Sequence, residues 1–432
     1  MDAKNIVQQE KEFELKETKA AFLVGTFPSG GDKNLGEEYL EELERLCETF
    51  GLDVAGRILC PIKKLTAATY IGAGKLEEIE KIVTDLDIGV VIFDDEISPN
   101  QQRNLEAFFK RPVIDRTELI IEVFAQRAQT REAQLQIELA KIKYQFPRLK
   151  RMWTHLSRQS SGGGGHVKGE GEKQIEIDRR LLRKRLDQMK KEIEEVGSHR
   201  ETQRTARKRS GIPTFAIVGY TNAGKSTVMK ALTGADVLVE DKLFATLDTT
   251  TRKFILPNHQ EILLVDTVGF IRKIPHTLVV AFKSTLEEAV HTDVLIHLID
   301  VSHPLAEEHA EATLAVLKEL GATDHPMITV FNKIDASQDQ EVLARLKVMY
   351  PKAVSISALK REGLEDLLAQ MIEDLAALRK VLKLRIPQSE YALVSELMRE
   401  GKVLESDYEE NDILLTIEIP KQLEYKVKPF LI

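Results

Sequence analysis

The chain has 432 residues, enough for two to four domains, and 43% of them are hydrophobic, which is enough to fill several cores. Its two cysteines, Cys47 and Cys60, have no metal-ligand spacing, which excludes a disulfide framework and favours ordinary thiols in a reducing compartment. Residues 1–19 are charged throughout, and no apolar run approaches the roughly 20 residues of a membrane span. We therefore expect a cytoplasmic protein without a transmembrane segment.

Residues 20–125 are predicted to form a first α/β domain. Strand-like apolar runs at 21–24, 90–93 and 113–114 alternate with helical stretches at 35–50, 76–86 and 100–110. This rhythm is typical of an open parallel sheet. Residues 72–75 (GAGK) suggest a second nucleotide site, but they lack the full spacing of a phosphate-binding loop. We therefore favour a turn that caps the helix from Leu76.

Residues 126–211 are predicted to form a helical hairpin. Leu135, Leu139, Ile142 and Phe146 are spaced four, three and four residues apart, and the same rhythm recurs at 182, 186, 189, 193 and 196. Between them, residues 160–171 contain six glycines in twelve positions, a composition that excludes a helix. We interpret this segment as the mobile tip of the hairpin. A disordered linker is the alternative.

Positive charge is concentrated in the same part of the chain. Residues 141–210 hold 20 Lys or Arg against 9 Asp or Glu, a net charge of +11, which leaves −19 for the rest of a chain whose total is −8. A charge run is usually a solvated helical face, but this excess flanks a glycine-rich loop, a surface that suits RNA. The candidate RNA contacts are Arg148, Lys150, Arg151, Arg158, Gly162, Gly163, Gly164, Gly165 and Lys168.

A phosphate-binding loop is the most informative motif. Residues 219–226 (GYTNAGKS) follow an apolar run at 215–218 and precede a helix start. Such a loop wraps its backbone N–H groups around a diphosphate, Lys225 reaches the β and γ phosphates, and the Ser226 hydroxyl ligates Mg²⁺. The alternative is a glycine-rich turn without special chemistry, which the flanking strand and helix disfavour. The loop alone does not separate ATP from GTP.

Three later segments favour GTP. Asp335, in residues 332–335 (NKID), can accept from the N1–H and the exocyclic amine of guanine, whereas adenine would leave this carboxylate unpaired. Residues 266–269 (DTVG) place Asp266 at a strand end to hold the Mg²⁺ hydration shell and Gly269 where its N–H can touch the γ phosphate. The backbone of residues 357–359 (SAL) can meet guanine O6. These four elements in this order predict a P-loop GTPase.

The catalytic machinery lacks one common part. Many switch GTPases place a glutamine directly after the glycine of the 266–269 motif, but this chain has Phe270, which cannot orient the attacking water, so we expect slow intrinsic hydrolysis. Asn222 could help to seat K⁺ between the phosphates, or could stabilise the loop through bonds to its backbone, and both interpretations stay open. The Mg²⁺ hydroxyl of switch I could come from residue 246, 249, 250 or 251.

Together these segments resemble the HflX family of bacterial GTPases. The resemblance rests on residues 219–227 (GYTNAGKST), 243–248 (LFATLD) and 266–271 (DTVGFI), with Pro275 and His276 following. It extends upstream to 70–75 (YIGAGK), 113–117 (VIDRT) and 156–159 (LSRQ), and so covers nearly the whole chain. One departure lies at 168–172 (KGEGE), where the family commonly has Arg-Gly-Pro-Gly-Glu. Without the proline and with Glu170, the tip is looser and less basic.

The resemblance implies the residues of the nucleotide site. Its switch I segment puts the Mg²⁺ hydroxyl at Thr246, beside Ser226 and, through water, Asp266. The complete candidate set for GTP is Gly219, Tyr220, Thr221, Asn222, Ala223, Gly224, Lys225, Ser226, Thr227, Phe244, Ala245, Thr246, Leu247, Asp248, Asp266, Thr267, Val268, Gly269, Asn332, Lys333, Ile334, Asp335, Ser357, Ala358 and Leu359.

The predicted architecture is a multidomain α/β protein. It has an N-terminal open α/β domain (20–125), a helical hairpin linker (126–211), a Ras-like P-loop GTPase domain with a mainly parallel sheet (212–378) and a small C-terminal α/β module (380–432) read as strand, helix and two strands. The resemblance implies binding to the large ribosomal subunit and its RNA, and splitting or rescue of stalled ribosomes under stress. We expect a monomer. The alternatives are a nucleotide-gated ribosomal RNA-binding or assembly factor, and an ATP-dependent RNA helicase acting through the N-terminal domain. Peripheral membrane association stays open.

Overall fold

A computed structural model of the chain describes residues 20–159, 180–181, 183–196, 212–234, 243–244, 247, 249–274, 278, 291–322, 325–337, 340–409, 411–420 and 423–432. The chain divides into two compact units. Unit 1 contains residues 1–193 with two short returns at 241–244 and 273–282. Unit 2 contains residues 194–240, 245–272 and 283–432. Among the helices that the structure describes, none is long and apolar enough to cross a bilayer.

Unit 1 is built on a four-stranded parallel sheet. Its strands are β1 (Ala20–Pro28), β2 (Asp53–Ile62), β3 (Val90–Phe93) and β4 (Val113–Asp115), in the spatial order β2-β1-β3-β4. All four residues of β3 are buried, as expected for a parallel strand that is covered on both faces. The predicted runs at 21–24, 90–93 and 113–114 lie within β1, β3 and β4.

Four helices connect and cover this sheet, namely α1 (Lys33–Phe50), α2 (Ala73–Asp85), α3 (Pro99–Phe109) and α4 (Arg116–Arg127). The start of α3 is fixed by a capping box between Ser98 and Gln101, with Pro99 in the first turn. Gly72 is the N-cap of α2, and Lys75 in its first turn pairs with Glu78 at 2.7 Å. The turn at 72–75 is thus a helix start, as favoured from the sequence.

Two further helices form the predicted hairpin pair. Helix α5 spans Arg131–Gln159, and α6 covers residues 183–196. Leu135, Leu139 and Ile142 of α5 form a buried cluster with Met189 of α6, and the two helices are also joined by an ion pair between Arg185 and Glu138 at 3.1 Å. The heptad spacing therefore identified the contact between the two helices correctly. The glycine-rich segment at 160–171 lies outside the described residues.

Unit 2 contains a six-stranded sheet in the order β10-β9-β8-β5-β7-β6. All neighbours are parallel except β6 and β7. The strands are β5 (Thr214–Gly219), β6 (Thr250–Ile255), β7 (Glu261–Asp266), β8 (Val294–Asp300), β9 (Met327–Asn332) and β10 (Val354–Ser355). The helices beside it are α7 (Lys225–Thr233), α8 (Ala306–Glu319), α9 (Gln340–Met349) and α10 (Leu364–Leu378).

The end of the chain forms a separate antiparallel sheet in unit 2. Strands β11 (Arg379–Pro387), β12 (Lys402–Glu409) and β13 (Asp412–Pro420) are ordered β11-β13-β12, and helix α11 (Tyr391–Glu400) packs on one face. A short helix α12 (Glu424–Val427) follows. The order strand, helix, strand, strand agrees with the prediction, and the multidomain α/β fold with a mainly parallel GTPase-type sheet is confirmed.

Candidate functional site

The loop between β5 and α7 is the centre of the site. Its backbone requires left-handed conformations at Asn222 (φ 60°) and Gly224 (φ 94°). Asparagine tolerates this region better than most residues, which accounts for Asn222. At Gly224 a side chain would also overlap the amide nitrogen of Asn332, so both the backbone conformation and the available space favour glycine. The loop then leads directly into α7, whose N-terminus carries backbone N–H groups suited to an anion.

Lys225 lies inside this loop. Its Nζ donates hydrogen bonds to the carbonyl oxygens of Gly219 at 3.2 Å and Tyr220 at 2.7 Å. Burial lowers the pKa of Lys225 to about 8, Asp266 acts in the opposite direction, and Lys333 lowers it further. A buried ammonium group held by two carbonyls gains from a nearby anion, because the anion compensates the lost hydration.

Ser226 and Asp266 bring two oxygen ligands together. The Ser226 hydroxyl donates to Asp266 Oδ2 at 2.8 Å, and Asp266 is fully buried at the carboxyl end of β7. A hydroxyl and a carboxylate are the hard oxygen donors that Mg²⁺ accepts, so the side chains fit this ion. The neighbouring Thr267 hydroxyl instead donates to the Ile217 carbonyl at 2.7 Å, which ties β7 to β5.

Asn332 joins the loop at 219–226 to residues 357–359, the segment predicted to meet guanine O6. Its Nδ2 donates to the Ala223 carbonyl at 2.8 Å, while its Oδ1 accepts the Ala358 N–H at 3.1 Å. Asn332 is 2% exposed at the end of β9, so both bonds are shielded from water. One amide side chain therefore fixes the distance between residues 219–226, predicted to bind the phosphates, and residues 357–359, predicted to meet the base.

The carboxylate predicted to recognise the base, Asp335, lies three residues further on. The pKa of Asp335 is lowered, chiefly by a hydrogen bond from the Ser357 hydroxyl and also by the charges of Lys360 and Lys333. Lys333 itself has a left-handed backbone (φ 63°), and its Nζ pairs with Asp300 at 2.7 Å. Asp335 is therefore held as a carboxylate acceptor, the state that the recognition of guanine donors requires.

The segment after Gly269 runs back against the phosphate loop. Phe270 N–H donates to the Gly219 carbonyl at 3.1 Å, and the Thr221 N–H donates to the Phe270 carbonyl at 2.6 Å. The Phe270 side chain is 1% exposed and belongs to the interior. The Phe270 side chain has no hydrogen-bonding group to offer a water, and slow intrinsic hydrolysis stays a prediction.

Switch I is described in part. Phe244 is 1% exposed, and its ring packs edge-to-face on Phe124 of α4 with centroids 4.5 Å apart, both rings belonging to unit 1. The contact shows where the Phe244 ring packs, and the place of Phe244 in the nucleotide site stays a prediction. Leu247 is buried. Ala245, Thr246 and Asp248 lie outside the described residues.

Arg148, predicted to contact RNA, has its guanidinium bonded inside unit 1. Its guanidinium donates to Asp115 Oδ2 at 3.1 Å, to the Ile97 carbonyl at 2.9 Å and to Gln102 at 2.9 Å, and it covers the Tyr144 ring. Asp115 is fully buried, and its burial raises its pKa against the opposing effect of Arg148. Arg148 is therefore part of the internal structure of unit 1 rather than an RNA contact.

The other RNA candidates cannot be placed. The helical backbone of α5 includes residues 150, 151 and 158, whose side chains are outside the described set, and residues 162–165 and 168 lie outside it altogether. They stay a prediction.

Arg272 and His309 lie beside the loop in the structure, although no sequence motif indicated either of them. The Tyr220 hydroxyl accepts the backbone N–H of Arg272 at 2.7 Å, and the Tyr220 ring stacks on His309 of α8 with centroids 3.7 Å apart. Tyr220 thus contributes its carbonyl to Lys225 but turns its side chain toward residues 272 and 309. Both partners lie far from the loop in sequence, so no local motif could have indicated them.

Comparison with protein families divides the chain into three matched regions. Residues 37–125 match the family "GTP-binding GTPase N-terminal", residues 127–207 match "GTP-binding GTPase Middle Region", and residues 214–333 match "50S ribosome-binding GTPase". The third region contains the phosphate loop, the 266–269 motif and Asn332 with Lys333.

Curated relatives match over almost the full length. A protein of Chlamydia pneumoniae named GTPase HflX is 48% identical over 414 residues, which is 95% of this chain and 88% of the relative. A protein of the same name from Akkermansia muciniphila is 43% identical over 97% of this chain and 99% of the relative. Among solved structures, SsGBP in complex with GDP is 30% identical, with a TM-score of 0.47 over 82% of this chain and 98% of that chain.

Proposed function

The chain belongs to the HflX family of GTPases and is a GTP-binding and GTP-hydrolysing enzyme, and on that basis we propose that it acts on the large ribosomal subunit to split or rescue stalled ribosomes under stress. The GTPase family whose model matches residues 214–333 is described as binding the 50S ribosome, which supports a ribosomal partner. A ribosomal partner in turn supports a cytoplasmic location.

The observation that carries the nucleotide site is the double hydrogen bond of Asn332. It connects the phosphate loop at Ala223 with the base segment at Ala358, over 2.8 and 3.1 Å, inside a buried strand end. We assign the phosphates to residues 219–227 and the guanine to Asp335 and the backbone of residues 357–359. The remaining contacts are assigned to residues 244–248 and 266–269. Lys333 and Ile334 complete the base side.

GTPases of this type use Mg²⁺ with the nucleotide. In this chain Ser226 would ligate the ion directly, Asp266 would hold it through water, and Thr246 would complete the set from switch I. The ion, when bound, neutralises charge that develops on the phosphates. Asn222 is the proposed K⁺ ligand, because its amide oxygen belongs to the loop assigned to the phosphates.

Hydrolysis by the free protein should be slow. Phe270 is buried and cannot hold the nucleophilic water, and its main chain is bonded to the phosphate loop instead. The large ribosomal subunit would accelerate the reaction by ordering the switch segments. The glycine-rich segment at 160–171 would reach into the subunit from the end of the α5 and α6 hairpin.

The test is sedimentation of intact ribosomes with this protein in a density gradient. With GTP or a non-hydrolysable analogue we expect free 50S and 30S subunits to accumulate, with the protein on the 50S peak, while ATP has no effect. The Lys225→Ala variant is the matched control, because it loses the phosphate contact, and it should leave the ribosomes intact. Binding without separation of subunits would favour an assembly or RNA-binding factor. RNA-stimulated ATP hydrolysis would favour a helicase.

A further inference from the structure

Strand β12 is an outer strand of the antiparallel sheet at the end of the chain. The strand order is β11-β13-β12, so within the described residues β12 pairs with β13 alone. The other outer strand, β11, carries the last residues of the chain, because the Ile432 N–H donates to the Lys383 carbonyl at 3.0 Å. The free edge of β12 is a template for one more strand.

The hairpin register shows which backbone groups of β12 face outward. Glu409 pairs with Asp412 across two intervening residues, and the closing pair of such a hairpin is hydrogen-bonded. Because hydrogen-bonded and non-hydrogen-bonded pairs alternate, Ser406 and Tyr408 turn their N–H and C=O groups away from β13. The Tyr408 N–H donates to a side-chain oxygen, Asp407 Oδ1, at 2.8 Å, which agrees with this direction.

Negative charge lines this free edge. Residues 403–420 contain six Asp or Glu and no Lys or Arg. Glu405 and Asp407 are exposed, and their cross-strand partners Thr416 and Leu414 alternate with the buried β13 residues that pack under α11. The two carboxylates therefore lie on the sheet face opposite α11. Among the described residues Arg385 pairs with Asp412 and Glu409 near the turn, but no cation pairs with Glu405 or Asp407.

A groove of about 430 Å³ lies on the same face, and Glu405, Asp407, Leu414, Thr416 and Lys383 are among the residues that line it. Lys383 belongs to β11, two strands away from Glu405, so the wall beside the free edge is the negative one. Leu414 offers apolar contact to the aliphatic stem of an incoming Lys or Arg, whose charged end would then meet the carboxylates.

We propose that the free edge of β12 binds an extended, basic segment of a protein partner as an added strand. Lys or Arg residues of that segment face the groove, and the alternate residues, which are apolar, cover the Tyr408 ring, which is 64% exposed on the other face. Backbone bonds to Ser406 and Tyr408 supply affinity, and the carboxylates select the partner. The same carboxylates repel RNA and would oppose each other in a pair of two β12 strands. The proposal is independent of the nucleotide site.

The experiment is equilibrium titration of the full chain with a labelled peptide that alternates lysine with valine over eight residues, the length of β12. One control peptide has glutamate in place of lysine, and another has the same composition with all lysines before all valines. We expect the alternating basic peptide to bind at least about tenfold tighter than either control. Hydrogen exchange in a proteolytic fragment covering β12 should slow when it binds.

Two variants separate the charges from the strand pairing. Replacing both carboxylates, by Glu405→Lys with Asp407→Lys, changes exposed side chains only and should weaken binding of the basic peptide at least about tenfold while the glutamate peptide gains affinity. Ser406→Pro removes one outward N–H and leaves the bonds to β13 intact, so it should weaken binding as well. Glu365→Lys with Glu373→Lys is the matched control, because it makes the same charge change at exposed positions of α10.

N-methylated peptides apply the same test to the unmodified protein. In an added strand one alternate set of N–H groups faces β12 and the other faces solvent. Of two basic peptides, one methylated at every lysine nitrogen of the backbone and one at every valine nitrogen, only one should lose binding.

Each contrary outcome overturns the proposal in a different way. Equal binding of the basic and glutamate peptides, or wild-type affinity in the charge variant, would remove the role of the carboxylates. Wild-type affinity of Ser406→Pro and of both methylated peptides would show contact between charges without an added strand. Self-association of the full chain in sedimentation velocity, abolished in Ser406→Pro, would assign the edge to a second copy of this chain instead.

Discussion

His297 is a buried histidine whose charge state should control the stability of unit 2 at mildly acid pH. It lies in the middle of β8, between Val218 of β5 and Thr329 of β9, and is completely inaccessible to water. Neither ring nitrogen has a hydrogen-bond partner among the described residues, and the ring lies edge-on to Tyr350 with centroids 6.3 Å apart. Burial lowers the pKa of His297 from 6.5 to about 4.

The sign follows from the two pKa values. The folded protein keeps His297 neutral down to about pH 4, whereas the unfolded chain binds a proton below about pH 6.5. The stability that depends on the neutral ring is therefore complete above pH 6.5 and is lost as the pH falls toward 4. Between pH 7 and pH 5 this one residue should reduce the free energy of unfolding by about 2 kcal/mol.

Native-state hydrogen exchange of the β8 peptide is the suitable assay, because a chain with two units need not unfold in one step. After correction for the intrinsic pH dependence of exchange, the opening free energy of the wild type should fall from pH 7 to pH 5 by about 2 kcal/mol more than that of His297→Phe. The His325→Gln variant, which removes a histidine from another part of unit 2, should retain the wild-type slope. Equal slopes in the wild type and His297→Phe would refute the reasoning.

Two further substitutions test the internal networks. Arg148→Met leaves the buried Asp115 carboxylate without its charge partner, so chemical denaturation should show the free energy of unfolding of unit 1 lowered by about 3 kcal/mol. The control is Arg131→Met, which removes an ion pair to Glu192 on the surface and should change this free energy by less than about 1 kcal/mol. Asn332→Asp keeps the acceptor for Ala358 but loses the donor to the Ala223 carbonyl, and calorimetric titration should show GDP binding weakened roughly tenfold or more. If Asn332→Asp bound GDP with wild-type affinity, the role of Asn332 in the nucleotide site would be contradicted.

The sequence was most informative where the chemistry is contiguous. A phosphate loop needs its glycine, lysine and serine within one turn between a strand and a helix, so residues 219–226 carry the whole pattern, and the structure places them between β5 and α7. The pairing of α5 with α6 was predictable for a similar reason, since helical spacing shows which residues share a face.

Contacts between distant residues were not predictable. The positive charge of Arg148 suggested RNA, but its partner Asp115 lies 33 residues away, and only the fold brings the two together. Strand β2 was not predicted. It lies at the edge of the sheet, most of its residues are exposed or half-buried, and its apolar run at 58–62 contains a proline, which is depleted in strands. The left-handed backbone at Asn222 and the direction of the Tyr220 ring likewise depend on three-dimensional neighbours.

The recognition of guanine by Asp335 tests the central claim most directly. Equilibrium titration of the wild type and of Asp335→Asn with GDP and with xanthosine diphosphate compares one carboxylate with one amide at the same place. An amide can donate to the 2-carbonyl of xanthine, whereas the carboxylate accepts from the guanine amine. We predict that the wild type prefers GDP and that the variant prefers xanthosine diphosphate. A variant that binds GDP with unchanged affinity would contradict the assignment of this site.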